Sequence, residues 1–205
     1  MHPNRVFRTE SEQRNLEYAK KRGFGTLAVS TEEAPLLSHV PFLVSDDSSH
    51  IELHLVRSNP IARLLDTPRP AKLAIMGPDS YVSPDWYELD DQVPTWNYIA
   101  VHLTGSLAAL PDEDLPGLLE RESAFFEEQL SPKPPWRMDK VDPEALGKMM
   151  KAIMPCRLEI SGIDGTWKLN QNKPADVRQR AADHIAAADI GAEAAALADH
   201  QRTID

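Results

Sequence analysis

Cysteine is nearly absent from this chain: Cys156 is the only one in 205 residues. An intramolecular disulfide framework is thereby excluded, and a lone thiol suits a reducing cytoplasm. One cysteine and seven scattered histidines also leave no structural zinc spacing. Long apolar runs are missing too, since none approaches the roughly 20 residues a membrane helix needs. Met1-His2-Pro3-Asn4-Arg5 has no apolar stretch behind it of the kind a secretory signal carries. Basic charge is in short supply: 22 Lys and Arg against 32 Asp and Glu give a net charge of −10. With no basic run to offset it, that balance repels a phosphate backbone and disfavours direct DNA reading. No Gly-x-Gly-x-x-Gly follows a strand and no Gly-Lys-Ser/Thr loop occurs, which removes the Rossmann and P-loop sites.

What remains is a chain with 41% hydrophobic residues, enough for one core. Ser11 caps a predicted helix that runs to Arg22 and stops at Gly23. Phe24 to Ser30, Pro35 to Val44 and Ile51 to Val56 read as strands, the last two joined as an antiparallel hairpin by Asp46-Asp47-Ser48-Ser49. Asn59 and Pro60 open a short helix over Ile61 to Leu65. Ala71 to Met76 is a fourth strand and Gly77 to Asp91 an ordered loop. Ile99 to Leu107 alternates cleanly as a strand. Helices are predicted over Asp112 to Gln129 and Pro143 to Ile153, with a stiff linker between them at Pro132 to Trp136. Cys156 to Ile160 is a strand closing near Gly162 to Gly165, and Trp167 to Leu169 a last strand edge. An alanine-rich helical tail covers Ala175 to Ala198, broken at Gly191. Four or five antiparallel strands preceding most of the helices argue for a small β-barrel with helices at its ends.

Four motifs concentrate polar chemistry. In Ser38-His39-Val40-Pro41-Phe42, the proline implies an edge, bulge or strand end, where Ser and His lie beside free backbone groups. A partly exposed strand histidine without a role reads the same way. His54, Arg57, Ser58 and Asn59 lie where a strand runs into a helix start, whose N–H groups favour anions. Arg57 adds a bidentate fork for a phosphate, although Ser58 or Asn59 serving only as a cap fits equally. Val93-Pro94-Thr95-Trp96-Asn97-Tyr98 sets a rigid turn, aromatics and an amide before the best strand. Trp96 and Asn97 there suit a flat, hydrogen-bonding ring, or an ordinary core aromatic and a turn. Lys168-Leu169-Asn170-Gln171-Asn172-Lys173 gathers polar donors near a strand exit, as a solvated loop would. No nucleophilic triad stands out, and Cys156 reads as packing.

Together with Tyr81-Val82-Ser83-Pro84-Asp85-Trp86-Tyr87, these motifs resemble, in order, those of the PaiB family, described as FMN-binding negative transcriptional regulators. The resemblance runs from the N-terminus to about Lys173. It implies an antiparallel FMN-binding split barrel related to pyridoxamine-phosphate oxidases, here over 1–173, with a C-terminal helical appendage over 174–205. It implies a homodimer with FMN at the subunit interface. Ser38, His39 and Val40 would line the flavin, Arg57, Ser58 and Asn59 would approach the phosphate, and Lys168 and Gln171 would come from the late strand region. Ser38 stands where the oxidases typically carry Arg. Three function classes follow: a flavin-binding regulator or sensor, a small FMN-dependent oxidoreductase, and an interaction protein without cofactor. Any repression is expected to run through a protein partner or metabolism, not operator contact.

Overall fold

The computed structural model describes residues 2–204. Ser11 starts the first helix as its sequence position predicts: its hydroxyl accepts the Arg14 N–H at 3.1 Å, and helix α1 (Glu12–Arg22) follows. Gly23 ends it at φ +58°, a left-handed conformation that favours glycine. Among the described residues, seven antiparallel strands form one sheet: β1 (Phe24–Val29), β2 (Leu36–Pro41), β3 (Leu43–Val44), β4 (His50–Val56), β5 (Arg69–Val82), β6 (Thr95–Ala109) and β7 (Ile153–Lys168). Their order is β2-β1-β5-β6-β7-β4-β3. The helices are α1, α2 (Leu115–Glu128), α3 (Pro143–Lys151), α4 (Ala175–Ala188) and α5 (Ala194–Arg202).

Several sequence expectations need correction. The stretch from Pro35 to Val44 is two strands parted at Phe42; β3 makes the expected hairpin with β4, while β2 pairs with β1. Gly77 to Asp91 is not a loop throughout, because β5 continues to Val82 and a 3-10 turn spans Pro84–Tyr87. Its loop-like residues have other reasons to be there. A Cβ on Gly77 would lie 2.0 Å from the Tyr18 hydroxyl, and the Asp79 N–H donates to Ala192 O at 2.8 Å while its carboxylate accepts from Ala192 N. Residues 153–168 form one strand where two were expected; Gly165 sits against Asn15 with no room for a Cβ instead of ending the run. The helix expected after Pro60 is a single 3-10 turn, Ala62–Leu64. Strand β6 opens at Thr95, so Trp96 and Asn97 lie inside it.

The fold divides into two compact units, and β5, β6 and β7 each run from one into the other. The first comprises Met1–Tyr18, Ile75–His102 and Ile163–Asp205; the second comprises Ala19–Ala74 and Leu103–Gly162. In the first unit, Val82, Tyr87, Ile99, Trp167 and Leu169 pack with Val177, Ala181, Ile185, Leu197 and Ala198 of α4 and α5. The alanines let these helices approach closely, so the tail supplies half of a core. Buried Arg178 donates to Gln201 O at 3.1 Å and to Ile204 O, placing a cation on the carbonyl end of α5. The second unit's core gathers Leu27, Val40, Phe42, Leu53, Leu73, Leu103, Leu118 and Leu158, all but solvent-free.

Candidate functional site

In the second unit, the β1–β2 register pairs Phe24 with Pro41, Thr26 with His39 and Ala28 with Leu37. Because successive side chains alternate across a strand, these six share the outer face, while Ser38 and Val40 turn inward. His39 is exposed, and its Nδ1 lies 3.0 Å from Thr26 Oγ1. Val40 is core. The Asn59 amide N–H donates to Ser38 Oγ at 3.0 Å and its carbonyl oxygen accepts the Ile61 N–H at 2.9 Å. Asn59 thus ties the turn leaving β4 to β2, bringing two of the predicted motifs together.

Arg57 projects from that turn. Its Nε donates to Lys151 O at 3.1 Å and its Nη2 to Asp112 Oδ1 at 2.6 Å. Its backbone N–H donates to Ala152 O at 2.9 Å. The helix-dipole argument for an anion has only a 3-10 turn to rest on, so any grip must come from side chains and turn amides. Arg57 Nη1 and the exposed Ser58 hydroxyl make no hydrogen bond among the described residues. His54, on β4, faces α2: its Nδ1 is 3.0 Å from Glu122 Oε2, within ion-pair reach but off the hydrogen-bond axis. Beside it, burial pushes the Glu52 carboxyl up, but hydrogen bonds from Arg121 and Arg157 outweigh this and hold it below the usual range.

The remaining predicted residues belong to the first unit. Trp96 is half exposed and packs edge-to-face with Tyr81 at 6.4 Å. Lys168 Nζ donates to Trp96 O at 2.8 Å and to Thr95 Oγ1, and burial lowers its pKa. Gln171 serves its own turn instead, accepting from Leu169 N at 2.8 Å and donating to Trp167 O around left-handed Asn170. Asn97 is fully buried, and neither its Nδ2 nor its Oδ1 has a partner among the described residues. An unpaired buried amide costs about 1–3 kcal/mol, so this position invites a polar partner. Thr26, Asp112, Lys151 and Glu122 are the contacts that sequence reasoning missed. Each is brought in by register or helix docking, which leaves no local signal.

A flavin mononucleotide needs donors for a dianionic phosphate and a face for a flat ring. The second unit meets the first need with Arg57 Nη1 and the Ser58 hydroxyl. The exposed Asp112 now holding Nη2 is an ion pair of small worth that can yield at little cost. Thr26, His39, Leu37 and Phe24 offer a mixed polar and apolar face. The residues fit the group.

Residues 1–162 match the sequence model of the family described as "Putative FMN-binding domain". The chain belongs to that family. Among similar proteins, "Protease synthase and sporulation protein PAI 2" of Bacillus subtilis (strain 168) is 27% identical over 175 residues, spanning 84% of this chain and 83% of that protein. That similarity makes the chain PaiB-like. A FAD and heme binding protein from Mycobacterium smegmatis has a similar structure, with TM-score 0.59 and 16% identity over 91% of this chain and 82% of that one. The flavocytochrome Anf3 from Azotobacter vinelandii matches with TM-score 0.58 and 11% identity, over 82% and 72%. At such identities the likeness is one of fold, the antiparallel FMN-binding split barrel, and FMN is the cofactor of this family.

Proposed function

We propose that the protein is a PaiB-type flavin-dependent regulator or sensor, working in the cytoplasm as a homodimer with FMN at the subunit interface. The phosphate is held by Arg57 and Ser58, and the ring edge runs along the β2 backbone at Ser38, His39 and Val40, with His54 nearby on β4. The observation that carries this reading is the 3.0 Å contact from Asn59 to Ser38, which joins the turn bearing the free anion donors to the strand bearing His39. Asn59 acts by positioning, since both ends of its amide are used within the protein. Lys168 and Gln171 are assigned to the flavin on motif resemblance, and Trp96 and Asn97 on that resemblance together with the aromatic face and unpaired amide they offer. When bound, FMN supplies reversible electron transfer, and the protein supplies orientation and electrostatics. The dimer rests on the outer face of β1 and β2, where Leu37 is 64% and Phe24 54% exposed. With a net charge of −10, the regulatory action is exerted through a protein partner or through metabolism.

The visible spectrum of freshly purified protein, followed by titration with FMN, tests the cofactor. A flavin spectrum or saturable uptake of FMN is expected; a colourless protein that takes up none would overturn the reading in favour of a cofactor-free interaction module. Steady-state NAD(P)H oxidation by the FMN-loaded protein would favour an oxidoreductase over a sensor. Tight binding to a promoter fragment at physiological salt would overturn the indirect route.

A further inference from the structure

Helix α2 borders a cleft whose lining residues are not assigned to the flavin, although Glu122 among them pairs with His54. Its volume is about 250 Å³ and its walls are Pro41, Glu122, Ser123, Phe126, Glu127 and Trp136, all in the second unit. Phe126, Trp136, Glu122 and Glu127 all line it, and no basic residue does. Glu122 is only 7% exposed. One of its oxygens, Oε2, lies 3.0 Å from His54 Nδ1; the other, Oε1, is buried and has no partner among the described residues. A buried carboxylate oxygen without a donor is a costly arrangement that a cationic donor would relieve.

The rings beside it are held in place. Glu127 accepts the Trp136 backbone N–H at 2.8 Å and the Lys133 ammonium, fixing the segment that carries Trp136 to α2. Phe126 rests on Gly23, where a Cβ would come within 3.0 Å of its ring. Cations are attracted to aromatic faces, more strongly where water is excluded. A neighbouring cleft of about 390 Å³ shares Ser123 and Trp136 and adds Glu120, Glu128 and Asp139 against a single Arg137. That excess of acid raises the local concentration of cations. No group of three His, Cys, Asp or Glu among the described residues is arranged to hold a metal ion, so the donor set suits an ammonium better than a metal.

We propose that this cleft binds a small organic ammonium ion, with its nitrogen on Glu122 and its hydrocarbon body against Phe126 and Trp136. The inference stands on the geometry of α2 and does not depend on flavin binding.

Calorimetric titration of the full chain with phenethylamine hydrochloride tests it, with the neutral isostere 2-phenylethanol as comparison. Saturable binding of the amine is expected, at least tenfold tighter than the alcohol and at least tenfold weakened in Glu122→Gln. Thermal melting checks that variant's fold; if it fails, Trp136→Leu, which removes only a half-buried ring, must show the same weakening. No saturable heat with the amine, equal binding of the alcohol, or undiminished affinity in the folded variant would each overturn the proposal.

Discussion

Arg57 illustrates how much a single side chain carries here. Two of its donor atoms are tied to Lys151 O and Asp112, and a third is free for a phosphate. Hydrogen bonds to a charged group contribute about 1.5–3 kcal/mol each. Arg57→Ala should therefore weaken FMN binding at least tenfold, while His102→Ala, on β6, leaves it nearly unchanged. Flavin fluorescence titration of the two variants provides the measurement, and equal affinities would contradict the phosphate placement. The melting temperature should move little, because the Arg57–Asp112 pair is exposed and screened. Cys156 is the opposite case. It is fully buried, and burial pushes its thiol up to about 12. A raised folded-state pKa gives stability that is whole below the unfolded value of 9.0 and is lost as pH climbs towards 12. The native protein should therefore resist Ellman's reagent at pH 8 and react once denatured; rapid native labelling would contradict the burial.

At the scale of elements, the alanine-rich tail has the clearest energetic role. Leu197 on α5 is fully buried beside Ile185 and Trp167. Leu197→Ala should destabilise the protein by about 2–5 kcal/mol, the usual cost of a large-to-small change in a core. Urea unfolding measures it, and a change below about 1 kcal/mol would mean that the tail does not share the core. This role is invisible in sequence because alanine-rich helices look the same whether docked or solvated. Other elements were legible for identifiable reasons. The β6 alternation from Ile99 to Leu107 survives, with the Ile99 face buried and the other face more exposed apart from Ala100, and the Ser11 cap and Gly23 stop lie where their chemistry predicts. Pro41 implied an edge, a bulge or a strand end, and β2 is an edge strand that ends at Pro41. Gly77 and Gly165 misled because glycine chosen for close packing is indistinguishable from glycine chosen for a turn. The candidate site was legible as motifs on strands β2 and β4. Its partners were not, since Thr26, Asp112 and Glu122 reach it only through register and docking.

For the molecule as a whole, association is the property most exposed to test. An edge strand leaves backbone groups unpaired, and β2 occupies one edge of the sheet. Its outer face carries Leu37 opposite Ala28 and Pro41 opposite Phe24, so its two large exposed apolar side chains lie on one surface. Burying a leucine or phenylalanine side chain is worth about 1.5–3 kcal/mol, a strong incentive to cover this face with a second copy. A lysine placed there would have to surrender its hydration on association, with no carboxylate among Phe24, Thr26, Ala28, His39 and Pro41 to receive it. Sedimentation velocity at micromolar concentration should therefore find the native chain at twice its 22.9 kDa mass and Leu37→Lys at the monomer mass. If FMN lies at that interface, the variant should also lose flavin affinity at least tenfold while its melting temperature stays near that of the dissociated native chain, because Leu37 supports no core. A native chain that sediments only as a monomer would remove the dimer from the proposed function and leave the Arg57 turn to hold the nucleotide alone.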